Sequence, residues 1–275
     1  MIKEPIIEFK TTQIQAFKIS CEVIDSLVSD VNFEFNADGF QIKDIDKTSK
    51  IFCFVKFLAE NFDSYVYNFK MPKFDIGIDI GSIVNCLKPN LSYDELKLSV
   101  YGSKENSGVY QVVIRLENHQ RKEVKVYNVT TIPSSPNINT IKELVHTHCV
   151  TLQSEMLAKY CKDINRNSSK IKISINKDKV TFEADNFVYT INKDGKGVSI
   201  VTSKDTTAST TLNIKYFMTF IKCSKLSEDV SLYMNEDKPK GGQSTNEGAA
   251  GMPSDIFPTI VYNLASLGTL KLVFL

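Results

Sequence analysis

The 275-residue sequence has no tryptophan, only three histidines, and a formal net charge of +1 from 33 basic and 32 acidic side chains. Near-neutrality excludes the overall polycation that marks many nucleic-acid binders, so any basic surface must come from local clustering. No apolar run approaches the roughly 18 residues of a membrane-spanning helix, and no transmembrane segment or membrane partner is expected. Met1-Ile2-Lys3-Glu4-Pro5 lacks the apolar core of a secretory leader. The six cysteines (21, 53, 86, 149, 161 and 223) stand singly without a CxxC pair, a pattern that fits small buried hydrophobes rather than a disulfide or zinc framework. GxSxG, P-loop, GxGxxG and HExxH motifs are all absent. His146-Thr147-His148 has the spacing of two imidazoles on one side of a strand, but His119 is too far away to complete a metal site. Asp44-Ile45-Asp46 reads as a solvated hairpin exit rather than a cation site. No catalytic residue, metal ligand or cofactor is therefore assigned, and the protein is expected not to be an enzyme.

What the sequence does contain is repetition. Residues 11-30 read as a helix with Phe17, Cys21, Ile24 and Leu27/Val28 on one side, followed by a hairpin, Val31 to Phe35 and Phe40 to Ile45, turning at Asn36-Ala37-Asp38-Gly39. The same order returns later. Ser154 to Arg166 reads as a helix, with Ser154 as N-cap, ahead of alternating runs Ile171 to Ile175 and Val180 to Ala184. A second pair of units matches at nearly the same offset. Helix Ile78 to Leu87 leads into Leu91 to Leu98, and helix Ile214 to Cys223 leads into Leu226 to Leu232. Further strands are expected at Ile51 to Leu58, Tyr65 to Phe69, Val109 to Leu116, Phe187 to Asn192, Val198 to Ser203 and Pro258 to Tyr262. The expectation is a duplicated α+β chain with antiparallel sheets: domains at 1-118 and 144-275, a connector at 119-143 holding Pro133 and Pro136, and a flexible exposed insert at 236-255 rich in glycine.

The informative charge lies on the second-half helices. Lys159, Lys162 and Arg166 recur at i, i+3, i+7, opposite the apolar stripe, and Lys215, Lys222 and Lys225 recur at i, i+7, i+10. A cationic helix face suits phosphate oxygens, because neutralising them releases condensed counterions without reading sequence. The first half is weaker: Lys18 and Lys88 are present, but Glu22 and Asp25 share the exposed side of the first helix.

Five segments, in order, resemble the proliferating cell nuclear antigen family of DNA sliding clamps. They are Phe17 to Ile24, Asp38 to Asp46, Met156 to Ile164, Tyr216 to Lys222 and Leu264 to Lys271. The resemblance implies two clamp domains with sheets outside and two helices per domain lining an inner face that surrounds double-stranded DNA. It implies self-association through edge strands, with a homotrimer as the expected state. It puts Lys18, Lys88, Lys159, Lys162, Arg166 and Lys222 toward DNA, to which the helical stripe adds Lys215 and Lys225. It also implies a pocket under the connector for short hydrophobic peptides of polymerases and other replication or repair proteins, formed here by Ile45, Val129, Ile132, Pro258, Val273 and Leu275. A clamp loader is a further implied partner, and the nucleus or a viral cytoplasmic replication site the implied location. The near-neutral charge and the long insert depart from the family. Two alternatives are a clamp-fold factor that binds DNA as a monomer or dimer, and a two-domain interaction scaffold with no DNA role.

Overall fold

The structure, a computed structural model, describes residues 4–88, 92–102, 110–134, 146–236 and 258–275. Two compact units divide the chain: residues 1–140 with 262–272, and residues 141–261 with 273–275. The segment 262–272 thus clusters with the first unit, whereas the sequence pattern assigns all of 144-275 to the second.

In the first unit, Ile7–Thr11 lies between Ser64–Tyr67 and Glu95–Tyr101, and Gln111–Asn118 and Glu123–Val129 extend the same antiparallel sheet. Glu123–Val129 is its edge. Connector residues 123–129 are therefore a strand of the first sheet, paired Ile114↔Tyr127, and Thr131–Ile132 forms a second short strand, paired with Ile78 and Gly77. Residues 135–143 of that expected connector lie outside the described residues, as do 237–255 of the expected insert.

A second run of strands, Thr131–Ile132, Phe74–Asp79, Asp30–Asn36, Gly39–Ile45 and Ile51–Leu58, pairs antiparallel in that order. The foreseen hairpin forms with Phe35 opposite Phe40. Its alternation sends phenylalanines inward, where Phe40 stacks on Phe57 at 4.6 Å and on Phe9 at 5.2 Å. Gly39 makes the turn at φ 133°, and a β-carbon there would stand 2.1 Å from the carbonyl oxygen of Phe57.

In the second unit, Phe187–Asn192, Lys179–Ala184, Lys170–Ile175 and Ala208–Asn213 form a four-stranded antiparallel sheet with Phe187–Asn192 at one edge. His148–Gln153 pairs between Asp229–Met234 and Val198–Thr202. Phe274 packs on Phe217 (5.8 Å, stacked) and Phe220.

Four α-helices are described: α1 (Ile14–Asp25), α2 (Ile80–Leu87), α3 (Ser154–Asn165) and α4 (Ile214–Phe220). Helix α1 is shorter than the expected 11-30. Thr11 is consumed by its sheet partner Leu96, and beyond Asp25 the amides of Leu27 and Val28 both fold back on the Ile24 carbonyl. Ser154 is not the cap of α3 but its first helical residue. Gln153 occupies the cap position without a side-chain bond, and the buried Ser154 hydroxyl has no hydrogen-bond partner among the described residues. Helix α4 tightens into a 3-10 helix, Ile221–Lys225, so the expected single helix to Cys223 is two. The strands expected from Leu91 and Leu226 start later, at Glu95 and Asp229. No disulfide joins the six cysteines, and all but the half-buried Cys149 are buried. Burial pushes the Cys161 and Cys223 thiols up to about 12.

Candidate nucleic-acid interface

The buried sides of α1 (Phe17, Cys21, Ile24) and α3 (Leu157, Cys161, Ile164) face their own sheets, and α1 packs on α2 as α3 packs on α4 and the 3-10 helix. Two clefts set the direction of the second pair. At one end an open cleft of about 530 Å3 has Arg166, at the α3 C-terminus, and Lys215, at the α4 start, in its lining; at the other, one of about 400 Å3 is lined by Glu155, at the α3 start, and Lys225. The helices are therefore antiparallel neighbours. Arg166 and Lys215 sit at one end of the pair and Lys225 at the other, while Lys159, Lys162 and Lys222 come from the stretches between.

All six are exposed. Lys159, Lys162, Lys222 and Lys225 enter no ion pair among the described residues. Lys215 lies over the ring of Tyr216 at 5.0 Å, and Arg166 touches Asp163 at 3.3 Å with its side chain 75% exposed. In the 3-10 segment, three residues make one turn, which brings Lys222 and Lys225 into line. Against these six stand Glu155 and Asp163 on α3. Asp163 is already engaged by Arg166 and by the Tyr189 hydroxyl. Such a surface neutralises phosphates without addressing bases.

The first unit differs. Lys18 is 11% exposed and lies 3.9 Å from Glu22, an i,i+4 pair on α1. Lys88, at the C-cap of α2, is exposed and hydrogen-bonds Asn85 at 3.3 Å.

The expected peptide pocket is divided between the two units. Ile45, half-buried, ends its strand with its amide on the Asp44 carboxylate, and Ile132 pairs with Gly77. Pro258 accepts the Phe274 amide, and Leu275 is half-buried. Val129 and Val273 are buried, so they serve the cores of their own units rather than an open surface.

Asp46 is buried rather than solvated, and its carboxylate is engaged within its own turn. Its carboxylate accepts the amides of Thr48, Lys50 and Ile51 and the Thr48 hydroxyl. Burial pushes its pKa upward, but those donors outweigh it and hold the carboxyl below the usual range. His148 is buried, bonded to the Thr206 carbonyl through Nε2 and to the Thr147 hydroxyl through Nδ1, whereas His146 reaches Thr259. Among the described residues no three metal-ligating side chains converge, and no helix is long and apolar enough to cross a membrane.

A feature missing from the residue-by-residue reading is the exposed valines on strands at sheet edges, which include Val66 on Ser64–Tyr67 and Val201 on Val198–Thr202. Val124 and Val126 on Glu123–Val129 are 45% and 59% exposed, and Val188 on Phe187–Asn192 is 56% exposed. The weak alternation of Val124, Val126 and Val129 is the available signal.

Residues 6–135 match the family description "Proliferating cell nuclear antigen, N-terminal domain", and residues 140–243 match its C-terminal counterpart. The chain belongs to the proliferating cell nuclear antigen family. Among curated proteins it is 21% identical over 242 residues to "Proliferating cell nuclear antigen" of Saccharomyces cerevisiae, covering 85% of this chain and 91% of that protein. It is 21% identical to the Chaetomium thermophilum protein of the same name, covering 85% and 90%, and 18% identical to "Probable DNA polymerase sliding clamp 1" of Paramecium bursaria Chlorella virus 1, covering 85% and 89%. Two domain matches on a duplicated α+β frame support a DNA polymerase processivity factor of the sliding-clamp kind.

Proposed function

We propose that this clamp encircles duplex DNA as a closed assembly of identical subunits, three in number, and tethers replication and repair enzymes to their template. It does no chemistry of its own; its effect is to raise the local concentration of the enzymes it holds. The observation that carries the reading is the antiparallel pair α3 and α4, which presents Lys159, Lys162, Arg166, Lys215, Lys222 and Lys225 to solvent on a family-matched frame. Phosphate contact of this sort is sequence-blind and permits sliding.

Assembly follows from the edges. Glu123–Val129 and Phe187–Asn192 each leave one row of backbone groups unpaired and expose valines, so the first edge of one subunit suits the second edge of the next. The mates are different surfaces, and a contact of that kind closes into a ring when the rotation permits. Partner enzymes dock short hydrophobic peptides near Ile45, Ile132, Pro258 and Leu275, and a loader opens the ring. The site of action is wherever the DNA is copied, a nucleus or a viral replication site.

Sedimentation and negative-stain microscopy test the reading together. A mass of three chains and particles with a central hole are expected. A one-chain mass at micromolar concentration, with no hole, overturns the ring and leaves a clamp fold that binds DNA by one face.

A further inference from the structure

We infer that the two halves of this clamp act unequally on DNA: α3 and α4 carry the phosphate contact, and the matching helices of the first unit form a self-neutralised sector that grips no phosphate. The inference rests on the DNA-encircling reading and specifies which residues perform it.

Backbone hydrogen bonds align the halves residue by residue. At the end of α1 the amides of Leu27 and Val28 both donate to Ile24, at 2.9 Å each; at the end of α3 those of Asn167 and Ser168 both donate to Ile164, at 2.9 and 2.8 Å. The Ile80 amide donates to Ser29 and the Ile214 amide to Ser169, both at 3.0 Å. Asp79 caps the Gly81 amide and Asn213 caps the Lys215 amide, again at 3.0 Å each.

With Ile24 matched to Ile164 and Ile80 to Ile214, the charges can be compared position by position. Opposite Lys159 stands the buried Ile19, opposite Lys162 stands Glu22, and opposite Arg166 stands Ser26. Opposite Lys215 is Gly81, and opposite the neutral cap Asn213 is the anionic cap Asp79. Only Lys222 has a cationic counterpart, Lys88. Lys18 does not compensate, because it stands opposite Ala158, a buried position, and its ammonium lies against Glu22.

The end of the helix pair makes the contrast sharpest. In the second unit the cleft there is lined by Arg166 and Lys215. In the first, the exposed Asp25 carboxylate lies 3.5 Å from where a Gly81 β-carbon would stand, and the Asp79 carboxylate at 3.2 Å. A phosphate approaching this end meets like charge, where the second unit offers two cations.

The test is fluorescence anisotropy of a labelled duplex with the full chain over a potassium chloride series. Three double variants are compared with wild type, each checked by circular dichroism melting. For Lys159→Ala/Lys162→Ala, affinity is expected to fall about tenfold or more and the log–log salt slope to shrink by about 2, close to 0.9 for each lost phosphate contact. Alanine favours helix at both positions, so unfolding does not mimic the result. Lys18→Ala/Lys88→Ala is expected to cost less than about twofold with the slope nearly kept. Glu22→Gln/Asp25→Asn is expected to tighten binding, a gain that misfolding does not produce. Equal losses from the two lysine pairs, or no gain from the carboxamide variant, overturn the unequal grip and leave the clamp standing. Absence of salt-dependent binding by wild type overturns both.

Discussion

The Tyr189 hydroxyl donates to the Asp163 carboxylate at 3.1 Å while its ring stacks on Tyr160 at 4.2 Å. One side chain thereby ties the edge strand Phe187–Asn192 to the cationic helix α3. The phenol is pushed above its ordinary range, first by burial and then by its bond to Asp163. Tyr189→Phe keeps the stack and loses the hydrogen bond, so the urea midpoint is expected to fall slightly with an unchanged slope. Tyr189→Ala loses both and falls further. Equal midpoints for the two variants would show that the stack contributes nothing.

Self-association is tested at the edges. Val126→Lys and Val188→Lys each place a charge on an exposed strand of the proposed contact, and lysine there is how natural edges resist pairing. Each single variant is expected to sediment at the mass of one chain while retaining the wild-type melting profile. A mass unchanged in both variants excludes these two strands from the contact.

Asp46 organises the turn between the strands Gly39–Ile45 and Ile51–Leu58, where Ser49 adopts a φ of 54°. Asp46→Ala removes the acceptor for three amides and is expected to cost about 2 kcal/mol in denaturant unfolding. Because the folded carboxyl titrates below the unfolded value of about 3.9, its contribution is complete above roughly pH 5 and disappears as pH falls through the folded pKa. The difference in stability between wild type and Asp46→Ala is therefore expected to shrink on acidification; a difference that stays constant down to about pH 2 removes the charge from the account.

Gly39→Ala combines a positive φ with a β-carbon forced onto the Phe57 carbonyl. The expected loss is about 3 kcal/mol or more, read as a lowered unfolding midpoint. A near-neutral result would mean that the hairpin shifts to make room.

Local spacing alone made the paired hairpins and the cationic rows readable. Phe33 and Phe35, and across the turn Phe40 and Ile42, alternate because a strand repeats every two residues, and Lys159, Lys162 and Arg166 share a face because a helix repeats every 3.6. Neither depends on a distant partner. The strands Ile7–Thr11, Phe74–Asp79 and Ala208–Asn213 carry weak local signals: Gly77 interrupts the second, and serine and threonine dominate the third. What makes them strands is a neighbour far away in the chain, such as Leu98 for Phe9 or Phe33 for Ile76.

Residue order and period are enough to establish that the chain is duplicated and that its second half concentrates positive charge on two helices. Which strands end up as edges, that Lys18 is held against Glu22, and that Val129 and Val273 turn into the cores are set by long-range packing. Those outcomes depend on non-local pairing and on which surfaces remain open after packing, and no local pattern encodes either.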